Sequence, residues 1–334
     1  MRLKKASILG AGSWGTAISM LLAEKADEVF LWGRDAKAIH EINHKRVNRR
    51  YLPREEVPKN VTATTDFADL SDSKILVMVT PSAATREVAA SAAEAVSLEK
   101  DVPIVSATKG IEASSGKRMT EILAESFVGH PVAVLSGPNH AEEVARHMAT
   151  ASVIGCDDQA VADRLQAIFT LPFFRTYTSD DVVGIEYGGA VKNVFALAGG
   201  IADGLGLGDN AKAALVTRGL AELARLGLAL GGQPETFQGL SGVGDLIVTC
   251  YSAHSRNNRV GQMIGKGHSL DEIGQSVPMV VEGIPNTKNL YELAQARGAR
   301  TPIIDQVYAI LYQDKSPEDA LSELLKRDPR PEAS

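Results

Sequence analysis

Cysteine is nearly absent. Only Cys156 and Cys250 occur in 334 residues, far apart and in apolar neighbourhoods, so there is no disulfide framework and no thiol spacing suited to a metal. A reducing cytoplasm fits that usage. An excess of basic charge is missing too. The 35 lysines and arginines are outnumbered by 41 aspartates and glutamates, for a net charge of -6, which argues against a nucleic-acid partner, because phosphate neutralisation needs clustered, unopposed cations. The basic stretch HKRVNRR at 44–50 reads as a solvated face or a cofactor rim. His40 and His44 sit at helical i,i+4 spacing, but no carboxylate or thiol set completes a metal site, and they read as two surface histidines. Long apolar runs are lacking as well. Nothing approaches the roughly 18 residues that a membrane span requires. The opening MRLKK followed by SILGAGSWGTAISMLL could pass for a signal peptide, but Gly10, Gly12, Ser13, Gly15, Thr16 and Ser19 break up the apolar stretch such a peptide needs.

What is present is alternation. A chain of this length exceeds one core, so two domains are expected. Through the first half, short β-rich runs (KASILGA, EVFLWG, SKILVMVTP, VPIVSATKG, PVAVLSGP, TASVIG, FFRTYTS) are separated by helical patterns. Apolar strands of that kind, each followed by a helix, predict a parallel sheet covered on both faces, that is, a Rossmann-type doubly wound α/β sheet. After residue 180 the strand signal disappears, and helices are predicted over 181–203, 210–229, 256–265, 287–297, 302–313 and 317–327. SLDE at 269–272 has the form of a capping box, and SPED at 316–319 puts Ser316 at an N-cap with Pro317 behind it. The expected division is a dinucleotide-binding domain, 1–180, and an all-helical substrate and catalytic domain, 181–330, with a loose tail DPRPEAS.

Three constellations can carry chemistry. Gly10, Gly12 and Gly15 in GAGSWG follow a strand and open a helix, the context in which this pattern holds a dinucleotide: the first glycine turns, the second lets backbone approach the pyrophosphate, and the third lets helix and strand pack. The second strand ends in EVFLWGRD, where Arg34 precedes Asp35. A guanidinium there can pair with a 2'-phosphate, so NADP is favoured and NAD stays open; a plain surface arginine is the alternative. Lys109 in SATKGIE lies just past a strand's carboxyl end. Lys192 falls inside the apolar EYGGAVKNVFALAGG, where an unpartnered ammonium is costly unless it snorkels out to water. Convergence of the two would disfavour each other's charge and prepare one for proton transfer near neutral pH. Finally, in GLSGVGDLIVTCYSAHSRNNRVG a flexible glycine turn delivers Asp245, and Ser255, Arg256 and Asn257 start a helix suited to a phosphate monoester. Simple N-capping by Ser255 is the alternative.

Taken together, GAGSWGTA, SATKGIE, LSGPNHAEEVAR, EYGGAVKNVFALAGGIADGLGLGDNAKAAL, GLSGVGDLIVTC, SRNNRVG and VVEG resemble the bacterial-type NAD(P)-dependent glycerol-3-phosphate dehydrogenases, collinearly from about residue 6 to 327. The resemblance implies interconversion of dihydroxyacetone phosphate and sn-glycerol 3-phosphate with NADP or NAD, a supply of glycerol 3-phosphate for phospholipid synthesis, a cytoplasmic location and a homodimer. It implies that Lys192 is the general acid and base, that Lys109 and Asp245 contact substrate beside it, and that Ser255, Arg256 and Asn257 hold the phosphate with a contribution from Gly137. Cofactor contacts would fall on Ser13, Trp14, Arg34, Lys109, Ala141, Arg256, Val280 and Glu282. One departure stands out: after SGP the family usually has Ser or Thr and then Phe, whereas this chain has Asn139, which can still bond a hydroxyl, and His140, a titratable ring in place of an aromatic one. Two other functions fit the motifs less fully: a two-domain dehydrogenase of a β-hydroxy acid or sugar nucleotide, and a non-catalytic dinucleotide sensor, which would need neither Lys192 nor the anion site.

Overall fold

The computed structural model describes residues 2–276, 280–328 and 331. Among the described residues ten strands are formed: β1 Leu3–Leu9, β2 Ala26–Trp32, β3 Val47–Asn48, β4 Leu52–Glu56, β5 Val61–Thr64, β6 Leu76–Met78, β7 Ile104–Ser106, β8 Val132–Ser136, β9 Thr150–Gly155 and β10 Phe174–Ser179. Eight of them build one sheet in the order β10-β9-β8-β7-β6-β1-β2-β5, and β3 pairs with β4 in a small separate hairpin. The central strands are short apolar runs. All of Leu76–Met78 and Ile104–Ser106 is buried, as a strand covered on both faces must be.

From β5 through β1 to β8 every pairing is parallel. The chain fills one side of β1 with β2 and β5, then crosses back to lay β6 on the other side. The carboxyl ends of β1 and β6 therefore flank the switch point, where an open α/β sheet leaves a crevice for a ligand. The sheet is not parallel throughout, in contrast to the expectation. β9 pairs antiparallel with β8, and β10 follows β9 in parallel. The connection between β8 and β9 explains the reversal: it carries only the helix Ala141–Ala145, about 7.5 Å long at 1.5 Å per residue, too short to return the chain along a full strand. As a result the turn after β8 runs straight along the crevice.

The edge strand β5 and the β3–β4 hairpin escaped the sequence pattern. VTAT offers one large apolar residue in four, and the alternation that marks a half-buried strand needs a longer run to register. The seven strands that were predicted are all formed.

Among the described residues no strand lies beyond Ser179, and the helix Val182–Gly204 begins the helical half. It is almost wholly buried, which explains its continuous apolarity, since a helix packed on every side shows no polar face. Around it lie Gly208–Ala229, Asp245–Tyr251, Arg256–Gly265, Gly283–Arg297 and Pro302–Tyr312. Contact with Arg256–Gly265 is backbone to backbone. A Cβ on Gly200 would stand 2.0 Å from the Asn258 carbonyl oxygen, and one on Gly261 2.2 Å from that of Leu197. Both predicted N-termini are in place: Ser269 and Glu272 bond reciprocally, and the Ser316 hydroxyl accepts from the Asp319 amide with Pro317 in the first turn. Of the tail expected to be loose, residues 329, 330 and 332–334 lie outside the described residues. Among the described residues, no helix is long and apolar enough to cross a membrane.

Two carboxylates, Glu186 buried and Glu282 half-buried, tie the halves together. Glu186 accepts from the Thr120 amide at 2.9 Å and from Arg118 at 2.8 Å. Glu282 accepts from the Ser82 amide at 2.9 Å and from its hydroxyl at 2.6 Å. Each caps the first turn of a helix in the sheet half, Met119–Ser126 and Ser82–Ala95, where amides lack intrahelical partners.

Candidate active site

A cavity of about 570 Å³ opens at the switch point, between the carboxyl edge of the sheet and the helical half. Its floor on the sheet side is the glycine turn. Gly10 has φ +127°, and a Cβ there would meet the Val79 carbonyl oxygen at 2.6 Å. At Gly15 a Cβ would lie 1.8 Å from the Gly10 carbonyl oxygen, so the helix Ser13–Ala23 can sit this close to β1 only without one. A Cβ on Gly12 would meet nothing within 4 Å; that side faces the cavity, which Gly12 lines together with Ser13 and Trp14. The Trp14 indole nitrogen is buried and has no hydrogen-bond partner among the described residues. Backbone amides at a helix start, an open approach and a spare donor fit the pyrophosphate of a dinucleotide.

At the end of β2 the cavity wall includes Arg34, Asp35, Arg50 and Tyr51. Asp35 is occupied as the N-cap of Ala36–Lys45, accepting from the Lys37 and Ala38 amides, while Arg34 is exposed at the rim. Arg50 and Tyr51 were not singled out from the sequence beyond the basic run that ends in Arg50. His40 and His44 stack with ring centroids 3.9 Å apart on the same helix.

On the opposite side stands a compact ionic cluster. Asp245, 1% exposed, receives the Lys192 ammonium on Oδ1 at 2.5 Å and the Lys109 ammonium on Oδ2 at 2.7 Å. Lys192 does not snorkel; it is 5% exposed. Its other partner is the Thr249 hydroxyl at 2.8 Å, and Thr249 in turn donates to the Asp245 carbonyl at 2.5 Å. A lysine has three N–H donors, so two protein acceptors leave one for the cavity that Lys192 lines. Lys109 differs. Besides Asp245 it donates to the Gly137 carbonyl and to Asn139 Oδ1, both at 2.9 Å, which uses all three of its hydrogens.

Asp245 and Gly137 do not line the cavity; both stand behind the lysines. The glycine-rich approach to Asp245 is not a flexible turn. Leu240–Gly244 forms a single π-helical turn running directly into the helix Asp245–Tyr251. Thr249 was missed, although its place one helical turn beyond Asp245, at i+4, could have pointed to it.

Electrostatics follow from this packing. Burial drives the Lys192 ammonium down, Asp245 holds it up in part, and Lys109 pushes it down again, to about 7 against an ordinary 10.5. Burial raises the Asp245 carboxyl, but the two ammoniums outweigh it and keep the group below its usual value. Three charges totalling +1 are thus packed together largely out of solvent, with one ammonium tuned near neutrality.

The third element is the start of the helix Arg256–Gly265. Ser255 is its N-cap, accepting from the Asn258 amide at 3.2 Å, and its O–H is still able to donate. Arg256 reaches the Val280 carbonyl at 3.2 Å. Asn257 lines the cavity, but its side chain is engaged on both ends, donating to Asn193 Oδ1 at 2.9 Å and accepting from the Gly283 amide at 3.0 Å. Asn257 therefore has its backbone amide and one remaining Nδ2–H to offer an anion. Ala141, Val280 and Glu282 are also in the wall, with the Glu282 carboxylate committed to Ser82 as described and raised by burial.

A doubly wound sheet with a glycine turn at its switch point, facing a buried lysine held near neutrality and a helix start suited to an anion, defines the class of nicotinamide-dependent dehydrogenases with a helical second half. Comparison with known proteins makes this specific. The N-terminal model of NAD-dependent glycerol-3-phosphate dehydrogenase matches residues 5–162, and the C-terminal model matches 181–322. The chain belongs to the NAD-dependent glycerol-3-phosphate dehydrogenase family. It is 48% identical over 329 residues to the glycerol-3-phosphate dehydrogenase (NAD(P)+) of Lysinibacillus sphaericus, covering 97% of each chain. Among solved structures it is similar to glycerol-3-phosphate dehydrogenase from Coxiella burnetii, with a TM-score of 0.92 and 38% identity over 97% of this chain and 99% of that one. It is also similar to the Saccharomyces cerevisiae enzyme, with a TM-score of 0.81 and 28% identity over 97% and 99%.

Proposed function

We propose that this chain is a glycerol-3-phosphate dehydrogenase that interconverts dihydroxyacetone phosphate and sn-glycerol 3-phosphate, with residues 1–180 holding the dinucleotide and 181–330 supplying the catalytic and phosphate-binding groups. The observation that carries the reading is Lys192: a buried ammonium, fixed by Asp245 and Thr249, with one N–H turned to the cavity opposite the glycine turn.

Gly10, Gly12, Ser13, Trp14 and Gly15 would hold the pyrophosphate, and Ala141, Val280, Glu282, Lys109 and Arg256 would flank the remainder of the cofactor. Arg34 at the rim would meet a 2'-phosphate, which makes NADP an acceptable cofactor beside NAD. When bound there, NAD(P)H supplies a hydride to the ketone carbon of dihydroxyacetone phosphate.

The protein's own part is to bind, orient and move a proton. Ser255, the Arg256 guanidinium and the Asn257 amide clamp the phosphate at the helix start, where the dipole favours an anion. That clamp fixes the carbonyl oxygen beside Lys192 Nζ, using binding energy remote from the reacting carbon to orient it. Before transfer the ammonium polarises the carbonyl. As the alkoxide develops, Lys192 gives it a proton and is left as a neutral amine, and in the reverse direction that amine removes the proton from the alcohol. Asp245 and Lys109 hold the amine in place and set its pKa. Asp245 acts from behind it, while Lys109, which also lines the cavity, reaches substrate only by yielding one of its three present acceptors. A second protonated lysine 2.7 Å from the same carboxylate keeps Asp245 ionised and disfavours a full charge on Lys192.

The test is the consumption of NADPH or NADH followed at its near-ultraviolet absorbance with dihydroxyacetone phosphate as acceptor. Turnover with this ketone and none with β-keto acids supports the reading; the opposite pattern overturns it. Two buried thiols and a soluble nucleotide cofactor support a cytoplasmic location, where the product would feed glycerophospholipid synthesis. The resemblance to the family supports a homodimer, which sedimentation velocity would check.

A further inference from the structure

The small β3–β4 hairpin stands apart from the sheet. What it delivers to the cofactor half is one side chain. Asn48, in the middle of the basic stretch 44–50, is 2% exposed and reaches the glycine turn. Its Nδ2 donates to the Ala11 carbonyl at 3.1 Å and to the Thr16 hydroxyl oxygen at 2.8 Å. Thr16 passes its own hydroxyl hydrogen to the Gly12 carbonyl at 2.8 Å, beside its backbone amide at 3.0 Å. The Ala11 carbonyl can only accept, which fixes the carboxamide with its nitrogen toward the turn. Arg46 anchors the base of the hairpin, giving Nε to the Val57 carbonyl at 3.0 Å and Nη2 to that of Val61 at 2.9 Å.

The direction of these bonds matters. In a planar trans peptide the C=O and the N–H that follows it point opposite ways. Ala11, Gly12 and Ser13 line the cavity, whereas Asn48 and Thr16 do not. Drawing the carbonyls of Ala11 and Gly12 to the far side therefore turns the Gly12 and Ser13 amides toward the cavity. Both belong to the helix start, where amides have no intrahelical acceptor, and Gly12 as N-cap has no side chain to serve them. Amides aimed in this way suit an anion. Internal satisfaction does not account for Asn48, because its Oδ1 is buried with no partner among the described residues, which costs stability. The two N–H donors are the part of the side chain in use.

We propose that Asn48 is a positioning residue for the dinucleotide: through the Ala11 carbonyl and the Thr16 hydroxyl it sets the direction of the amides that hold the pyrophosphate. This rests on the function proposed above. Asn48 lies outside the cavity wall, so it acts through the backbone of the turn and not by contact with the cofactor. It also ties to the turn a hairpin 37 residues further along the chain. Without its donors the Ala11 carbonyl is left unpaired. Rotation of that peptide toward the cavity in search of a partner would then bring a carbonyl oxygen to the place where the pyrophosphate needs an N–H.

The experiment measures dissociation constants for NADPH and NADH by fluorescence titration, and melting temperatures without cofactor. The wild type, Asn48→Ala, Thr16→Val and Thr16→Ser are compared. Asn48→Ala should weaken both nucleotides by the same factor, about tenfold, since the pyrophosphate is common to them and a stranded buried carbonyl costs that much. Thr16→Val, which keeps the volume of the side chain and loses the hydroxyl, should weaken both by a similar factor. Thr16→Ser, which keeps the hydroxyl, should bind within about twofold of the wild type. A merely structural side chain would lower the melting temperature of Asn48→Ala and leave the dissociation constants of the folded protein unchanged. That result overturns the assignment while leaving the proposed function standing, and so does a Thr16→Ser variant that binds as poorly as Thr16→Val. If Asn48→Ala fails to fold, the two Thr16 variants decide: unchanged affinity in Thr16→Val overturns the assignment. A wild type that binds neither NADPH nor NADH overturns both.

Discussion

The glycine turn and the lysine–aspartate cluster face each other across one cavity but are built on opposite plans. The turn is local and made of backbone. Residues 10–15 are consecutive, and their function depends on the absence of side chains, with a Cβ at Gly15 excluded by a carbonyl 1.8 Å away. The cluster is assembled from Lys109, Lys192 and Asp245, spread over 136 residues and three elements, and its function depends on burying charge that would be ruinous if unpaired. The first plan tolerates no added atom and the second no lost one. Substitutions in the two regions should therefore fail in different observables.

The largest effect is expected in the cluster. Lys192→Ala should cut kcat for dihydroxyacetone phosphate by about 10²–10⁴, the usual contribution of a general acid–base group, with NADPH affinity nearly intact. Stopped-flow turnover combined with a cofactor fluorescence titration checks both halves of that statement. Asp245→Asn removes the charge that anchors both ammoniums and should fall in the same range.

In the turn, Gly15→Ala should instead lower stability by roughly 3 kcal/mol or more and weaken cofactor binding, with little change in kcat for whatever enzyme remains folded and saturated. Thermal unfolding with and without NADPH reads this. A kcat collapse with normal melting would break the comparison.

Between the two lies the clamp. Arg256→Ala should raise KM for dihydroxyacetone phosphate by about ten- to a hundredfold, as for a lost charge-assisted hydrogen bond, with a smaller fall in kcat; steady-state kinetics at fixed NADPH is the check. The smallest effect belongs to the rim. Arg34→Ala should weaken NADPH relative to NADH by about fivefold, one exposed ion pair to a 2'-phosphate being worth about 1 kcal/mol; the ratio of the two dissociation constants measures it.

The same contrast explains what the sequence made legible. The turn could be read directly, because its strand, three glycines and helix are contiguous, although the close approach at Gly10 is to Val79 on the neighbouring strand's end. The seven predicted strands and the helical second half were legible for the same reason, as periodicity is a local property. The reversal at β9 was not, because strand direction depends on the length of a connection and on where it returns. In the cluster, Lys192 could be flagged as an ammonium among apolar neighbours, and Lys109 by its place at a strand end. That both bond the same Asp245, and that Lys109 is saturated while Lys192 keeps a free N–H, is a three-dimensional fact. Asn257 shows the converse. Its type suited a phosphate ligand, yet its carboxamide already bonds Asn193 and Gly283 and keeps a single N–H to spare.

The central claim is that a buried lysine, tuned near neutrality, passes the proton. The direct measurement is the pH dependence of kcat/KM for dihydroxyacetone phosphate reduction. Reduction needs the ammonium, so as pH rises through about 7 the rate constant should fall, and oxidation of glycerol 3-phosphate, which needs the free amine, should rise over the same interval. A reduction rate that stays flat from neutral into alkaline pH, with no reciprocal rise in oxidation, would contradict the account.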